Sequence, residues 1–297
     1  MAEASIPVDL FNPGQVFACL GFLEAADVLF GDAEGAFDST KSSHIAFRLR
    51  VAGTGSPISK VLKFVRDATS ISISPSPEIH ERDGGKTRFS NGIHPCRLMD
   101  SGKLRNALLP IELSDGAHIL RFDYWADLDS RRPRLNLWTA TNGNSAAVRF
   151  SKLHEALRTA LETFDESQPD PFNLSAPVAA NFRLEMRRNW TGLSAGFSPD
   201  KHTEKKAQGS PITVATYPAV ELLAALGLGN ARPKSNPTSF LQCHYSTWSD
   251  WLPPELARAA ISGALPNFEA RYFVMHLEKS NDGGDLSIAS ATEEIRK

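Results

Sequence analysis

The chain has 297 residues, 41% hydrophobic and 22% charged, which is the composition of a folded protein rather than a disordered one. Its formal net charge is -2, so it is not a polycation that coats nucleic acid by charge alone; any such role needs a local basic surface or partner subunits. Three cysteines, Cys19, Cys96 and Cys243, are too few and scattered for a disulfide framework. Residues 2–10 carry Glu3, Pro7 and Asp9 instead of the basic start and apolar run of a secretory signal, so a cytoplasmic location is expected.

Residues 6–11, apolar at Ile6, Val8 and Leu10, read as a strand leading into a helix over 13–30. That helix has both ends marked. Asn12 can accept a hydrogen bond from a first-turn N–H, Pro13 sits where a missing N–H costs nothing, and Gly31 can take the left-handed conformation that closes the last turn. Between the ends only Gln15, Glu24 and Asp27 are polar, so burial nearly all round is expected. Ala18, Gly21 and Ala25 form a small-residue stripe for close packing, and Glu24 interrupts the apolar run too soon for a membrane span.

Residues 32–43 read as a polar turn region and 45–51 alternate like a half-buried strand. Residues 58–65 fit strand or short helix, with helix favoured, and 70–106 read as a long irregular loop of the kind that carries binding. Strands are predicted at 119–125 and 135–138, flanking a turn with Arg131, Arg132 and Arg134. Residues 146–164 form an amphipathic helix through Val148, Leu153, Leu157, Ala160, Leu161 and Phe164, and 165–171 are the linker candidate.

Beyond it, 181–190 read as extended, 197–210 as a polar lysine-bearing loop, and 212–215 as a short strand running into a second helix capped at Thr216. The helices over 13–30 and 217–228 share an early proline, an apolar body and a late glycine, which internal duplication and chance similarity explain equally. A strand at 240–245, a proline-started helix at 253–262, a strand at 268–277 and a polar tail from 281 complete the chain. The fold class expected is α+β in two helix-plus-sheet halves, 1–165 and 172–290, with mixed or antiparallel sheets packed on the apolar capped helices.

His94 with Cys96, and Cys243 with His244, have the ligand types for zinc but not the spacing, and Cys243 and His244 would point to opposite faces of a strand. Asp123, Asp127 and Asp129 cluster beside the arginine turn, where a carboxylate pair with a metal could hydrolyse and solvated salt bridges are the plainer reading. No nucleophile elbow, phosphate-binding loop or dinucleotide fingerprint is present, so no catalytic residue, metal or cofactor is expected.

Arginines and lysines with interleaved tryptophans point instead to nucleic acid: charges pair with phosphates and indoles stack on bases. The candidates are Arg183, Arg187, Arg188 and Trp190, then Lys201, Lys205 and Lys206; the turn of Arg131, Arg132 and Arg134 between Trp125 and Trp138; and Arg232 with Lys234.

The opening stretch from Ile6 through Leu29 resembles the start of a CRISPR-associated family found with type I-U (I-G) systems. So do Tyr124-Trp125-Ala126-Asp127, Asp170-Pro171-Phe172, Ser175-Ala176-Pro177, Ala195-Gly196-Phe197-Ser198-Pro199, the helix start from Tyr217 to Ala224, Leu252-Pro253-Pro254 and the closing strand through His276. The resemblance implies a non-catalytic, large-subunit-like component of an RNA-guided effector complex that helps read the motif flanking the target, open the duplex and recruit the helicase-nuclease. Its implied partners are the other effector subunits, guide RNA and target double-stranded DNA, with no membrane involved. No nucleotide-binding residue is carried over by the resemblance. Where the family has a glycine-rich segment after the tryptophan strand, this chain has Thr139-Ala140-Thr141-Asn142-Gly143-Asn144, whose side chains keep a nucleic-acid backbone at greater distance. Two alternatives stand beside this reading: a protein-only scaffold whose arginines pair with its own carboxylates, and a metal-dependent hydrolase or nuclease using Asp123, Asp127 and Asp129.

Overall fold

The computed structural model describes residues 1–39, 45–72, 80–83, 86–89, 111–122, 146–162, 164, 170–179, 213–239, 241–265, 269–279 and 286–295. The helix marked at both ends forms as α1 (Pro13–Phe30): the Asn12 side chain accepts from the Gln15 N–H, Pro13 opens the first turn, and Gly31 closes the last at φ +74 with its N–H on Asp27 O. By length and composition α1 also passes as a membrane span, but 78% of it is buried inside the protein, as a core helix is.

The strand before it, β1 (Ala2–Pro7), begins and ends earlier than 6–11. The reason lies in Asp9, whose carboxylate accepts from Phe11 N and whose N–H donates to the Gln15 side chain, so residues 9–12 fold into a turn that positions the cap. The expected polar turn at 32–43 instead contains β2 (Glu34–Asp38). It is a strand because it pairs with β3 (Ala46–Val51), whose other edge holds β1; the order β1-β3-β2 turns Phe47, Leu49 and Val51 toward the core. α2 (Pro57–Asp67) follows, with the Ser56 hydroxyl accepting from Ser59 N.

Within 70–106 the structure is partly regular. β4 (Thr69–Ser72) leads into it, and β5 (His80–Asp83) pairs with β6 (Lys86–Phe89). β7 (Ile111–Ser114) and β8 (Ile119–Phe122) extend β4 into a β4-β7-β8 sheet, followed by the amphipathic helix α3 (Ala146–Leu161) and a short 3-10 turn at Pro171–Asn173. The strand expected at 135–138 and the linker residues 165–169 lie outside the described residues.

β9 (Ala176–Ala179) pairs with β10 (Thr213–Thr216), which enters α4 (Pro218–Asn230). The helix is not capped at Thr216: its N-cap is Tyr217, with no side-chain capping bond. β11 (Lys234–Ser235), β12 (Gln242–Trp248), α5 (Pro254–Ile261) and β13 (Ala270–Lys279) come next. The tail from 281 is not all tail: β14 (Leu286–Glu294) adds to a sheet ordered β11-β12-β13-β14, with a register break between His276 and Leu277.

Five α-helices and small antiparallel sheets among the described residues make the fold α+β. Its centre is the contact of α1 with α4. A Cβ on Gly21 would stand 2.0 Å from Leu223 O, and one on Gly227 would stand 2.1 Å from Phe17 O, so the two backbones touch where neither carries a side chain. Residues from 1–165 and from 172–290 contribute to one hydrophobic cluster along this contact. Each fully buried Phe or Leu in it contributes about 1.5–3 kcal/mol of transfer free energy.

Candidate nucleic-acid interface

Arg131, Arg132, Arg134, Arg183, Arg187, Arg188, Trp190, Lys201, Lys205 and Lys206 lie outside the described residues, as do Asp123, Asp127, Asp129, His94 and Cys96. Arg232 and Lys234 lie inside them. At the end of α4 the Ala231 N–H closes the helix on Gly227 O, and Ala231 and Pro233 turn inward while Arg232 and Lys234 stand exposed. No ion pair holds either cation among the described residues.

The ladder then fixes what lies beside Lys234. Directly paired residues share a face, so Lys234, His244, Val274 and Thr292 make one row, and Gln242, His276 and Ser290 make the next. His276 Nε2 lies 3.0 Å from Thr292 Oγ1, and His244 Nδ1 lies 3.6 Å from Glu294 Oε2. Cys243 is buried while its neighbour His244 is half-buried, the opposite facing expected of a strand. Among the described residues no three His, Cys, Asp or Glu side chains come together as a metal site. The exposed Arg232 and Lys234 can donate hydrogen bonds to a phosphate backbone.

Sequence reasoning missed a second basic-aromatic cluster on the outer face of β1-β3-β2. The alternation of β3 already placed Arg48 and Arg50 outward, but nothing local indicates what covers them. It is Trp251: the Arg48 guanidinium carbon lies 4.9 Å and that of Arg50 4.4 Å from its ring centroid. Arg48 also pairs with Glu3 at 2.7 Å, and Arg50 pairs with Glu34.

Carboxylates engage other described arginines too. Arg271 holds Glu293 at 2.7 Å, which depresses the glutamate's pKa and raises the arginine's. Arg66 does the same to Asp67, lowering its pKa through a 2.7 Å hydrogen bond. Arg258 grips the buried Glu24 of α1 with two 2.6 Å bonds, which raise the arginine's pKa.

A cleft of about 300 Å³ opens where the start of α1 meets the 3-10 turn, lined by Asp9, Gln15, Asp170 and Asn173 over Pro7, Val8, Ile45 and Phe172. Its carboxylates shape the local backbone, Asp9 accepting from Phe11 N and Asp170 from Phe172 N and the Asn173 amide. Two carboxylates without a lining cation repel a phosphate, so the cleft is not part of the basic surface.

Comparison of the chain with family models, with curated proteins and with solved structures finds no match.

Proposed function

We propose that this chain is a non-catalytic subunit of a type I-U CRISPR effector complex, contributing to recognition of the target's flanking motif and to R-loop formation. It acts in the cytoplasm with the other effector subunits, guide RNA, target double-stranded DNA and the helicase-nuclease. The observation that supports the reading is that those stretches of the resemblance that lie among the described residues, far apart in sequence, share one hydrophobic core. Gly21 of the opening stretch lies against Leu223 of the second helix, the Phe22 ring lies 6.2 Å from the Phe172 ring, and the Phe11 ring lies 5.5 Å from the Phe273 ring of the closing strand.

The exposed Arg232 and Lys234, beside the His244 and His276 rows, supply a phosphate-facing surface on this reading. The test is co-expression of the tagged chain with its operon neighbours and a guide RNA, followed by purification and duplex binding across a salt series. Co-elution with subunits and RNA is expected, and R232A/K234A should flatten the dependence of log K on log salt by up to about 0.9 per lost phosphate contact. A chain that elutes alone, without RNA or subunits, rejects the assignment.

A protein-only scaffold is the second reading, favoured by the engagement of Arg48, Arg50, Arg258 and Arg271 with carboxylates of the chain itself. Photocrosslinking in the purified complex separates the two. Crosslinks from this chain to protein alone select the scaffold.

A further inference from the structure

The geometry points to the Arg48–Trp251–Arg50 cluster as a binding site for an unpaired base of single-stranded nucleic acid, separate from the phosphate-facing surface at Arg232 and Lys234. The cluster is built from distant segments. Arg48 and Arg50 are alternate residues of β3, Glu3 comes from β1, Glu34 from β2, and Trp251 from the segment after β12.

That segment is locked in place. Gly35 N donates to Leu252 O at 2.9 Å, Leu252 N donates back to Gly35 O at 3.0 Å, and the Trp248 indole N–H reaches the same Gly35 oxygen at 2.8 Å. The outcome is a division of labour among neighbours. Trp248 is 1% exposed and Leu252 6%, while the indole between them stays half-buried on the outer face with the guanidiniums.

The chemistry of this face suits a base better than a phosphate. Indole and guanidinium planes both stack on nucleobases, and a base stacks on either whichever is outermost. Each arginine places its Nε and one terminal nitrogen on a single carboxylate oxygen. Its remaining N–H groups can donate to a base carbonyl or ring nitrogen, and the second oxygens of Glu3 and Glu34 can accept from an exocyclic amine. Because two carboxylates balance two guanidiniums, the cluster carries no net charge to attract a polyanion. An unpaired base is the occupant that uses the stack without needing that charge. A duplex, with its bases stacked on one another, cannot.

This inference does not depend on membership of the effector complex, and its test separates the two. The purified full-length chain is titrated against a short labelled single strand of mixed sequence, across a salt series, with unlabelled duplex as competitor. W251A is expected to weaken binding roughly five- to hundredfold while leaving the salt slope unchanged, because stacking releases no counterions. W251F, which keeps a stacking ring and most of the packing, should stay within a few-fold of wild type. R232A/K234A should instead reduce the slope and leave the W251A effect intact.

Ultraviolet crosslinking followed by peptide mapping should place the strand on the segment containing Trp251. The inference is overturned if the wild-type chain binds no single strand, if W251A binds as wild type does, or if W251A and W251F lose binding equally. It is also overturned if, with R232A/K234A removing the phosphate-facing surface, duplex competes as well as single strand. Failure of co-purification with effector subunits leaves every one of these outcomes readable.

Discussion

α1 and α4 carry a similar five-residue step, Phe17-Ala18-Cys19-Leu20-Gly21 in one and Leu223-Ala224-Ala225-Leu226-Gly227 in the other, and each presents its glycine to the other's backbone. Their ends are unlike. α1 starts on an Asn12 side-chain cap and stops at a positive-φ glycine; α4 starts at Tyr217 without a capping bond and stops at Ala231 in extended conformation. Both are nonetheless full helices. Capping contributes about 1 kcal/mol at an end, whereas burying the successive apolar side chains of either helix contributes several-fold more. Caps therefore set where α1 begins and ends, and burial decides that both helices exist.

The largest expected effect comes from filling the shared contact. Gly21→Ala puts a Cβ 2.0 Å from Leu223 O and Gly227→Ala puts one 2.1 Å from Phe17 O, against backbone that has nowhere to move. Each should cost more than about 3 kcal/mol, beyond ordinary overpacking, and leave little folded protein by circular dichroism and soluble yield. A marked difference between the two would show that the contact is not reciprocal.

Arg258→Ala comes next. It strands the Glu24 carboxylate of α1, whose side chain is 8% exposed, while the lost arginine was 38% exposed. That exposure discounts the usual cost of breaking a buried pair to about 1–3 kcal/mol. Urea unfolding measures it, and adding Glu24→Gln should recover part of the loss.

Asn12→Ala should cost about 1 kcal/mol in the same assay. At α4 the equivalent test has no target, since Tyr217 makes no capping bond.

The smallest effect is conditional on pH. His154 of α3, the helix packed between α2 and α4, points Nε2 at Val65 O, 2.5 Å away, and burial lowers its pKa below 6.5. A histidine held neutral contributes stability that is present above its ordinary pKa and lost as pH falls through the lower folded value. Wild type should therefore lose stability on acidification below about pH 6.5, at no more than about 1.4 kcal/mol per pH unit. His154→Gln should remove that slope while keeping a donor for Val65 O.

Both ends of α1, the alternation of β3, the amphipathic face of α3 and the proline start of α5 were legible, because each signal acts within a turn or two of chain; α2 was read only as helix favoured over strand at 58–65, without its start at Pro57. β2 and β14 were not. Glu34-Gly35-Ala36-Phe37-Asp38 is short and polar-edged, and becomes a strand because β3 offers it hydrogen bonds on one side and Leu252 on the other. β14 likewise exists because β13 is there to be paired.

In the candidate interface, Arg232 and Lys234 were legible as exposed cations past an apolar helix. The Trp251 cluster was half legible. Period two put Arg48 and Arg50 outward, but which tryptophan would be buried and which would cover them depends on the Gly35–Leu252 pairing, formed across more than two hundred residues of chain.

By itself, then, the sequence determined the α+β class, the position and burial of α1, and the outward side of β3, since local periodicity and capping chemistry need no partner. Only the tertiary structure decided that Gly21 and Gly227 would meet, that polar segments at 34–38 and 286–294 would be strands, and that Trp251 would lie on two arginines. Those outcomes rest on hydrogen bonds and contacts between segments distant in sequence, whose free energy appears only once the chain has brought them together.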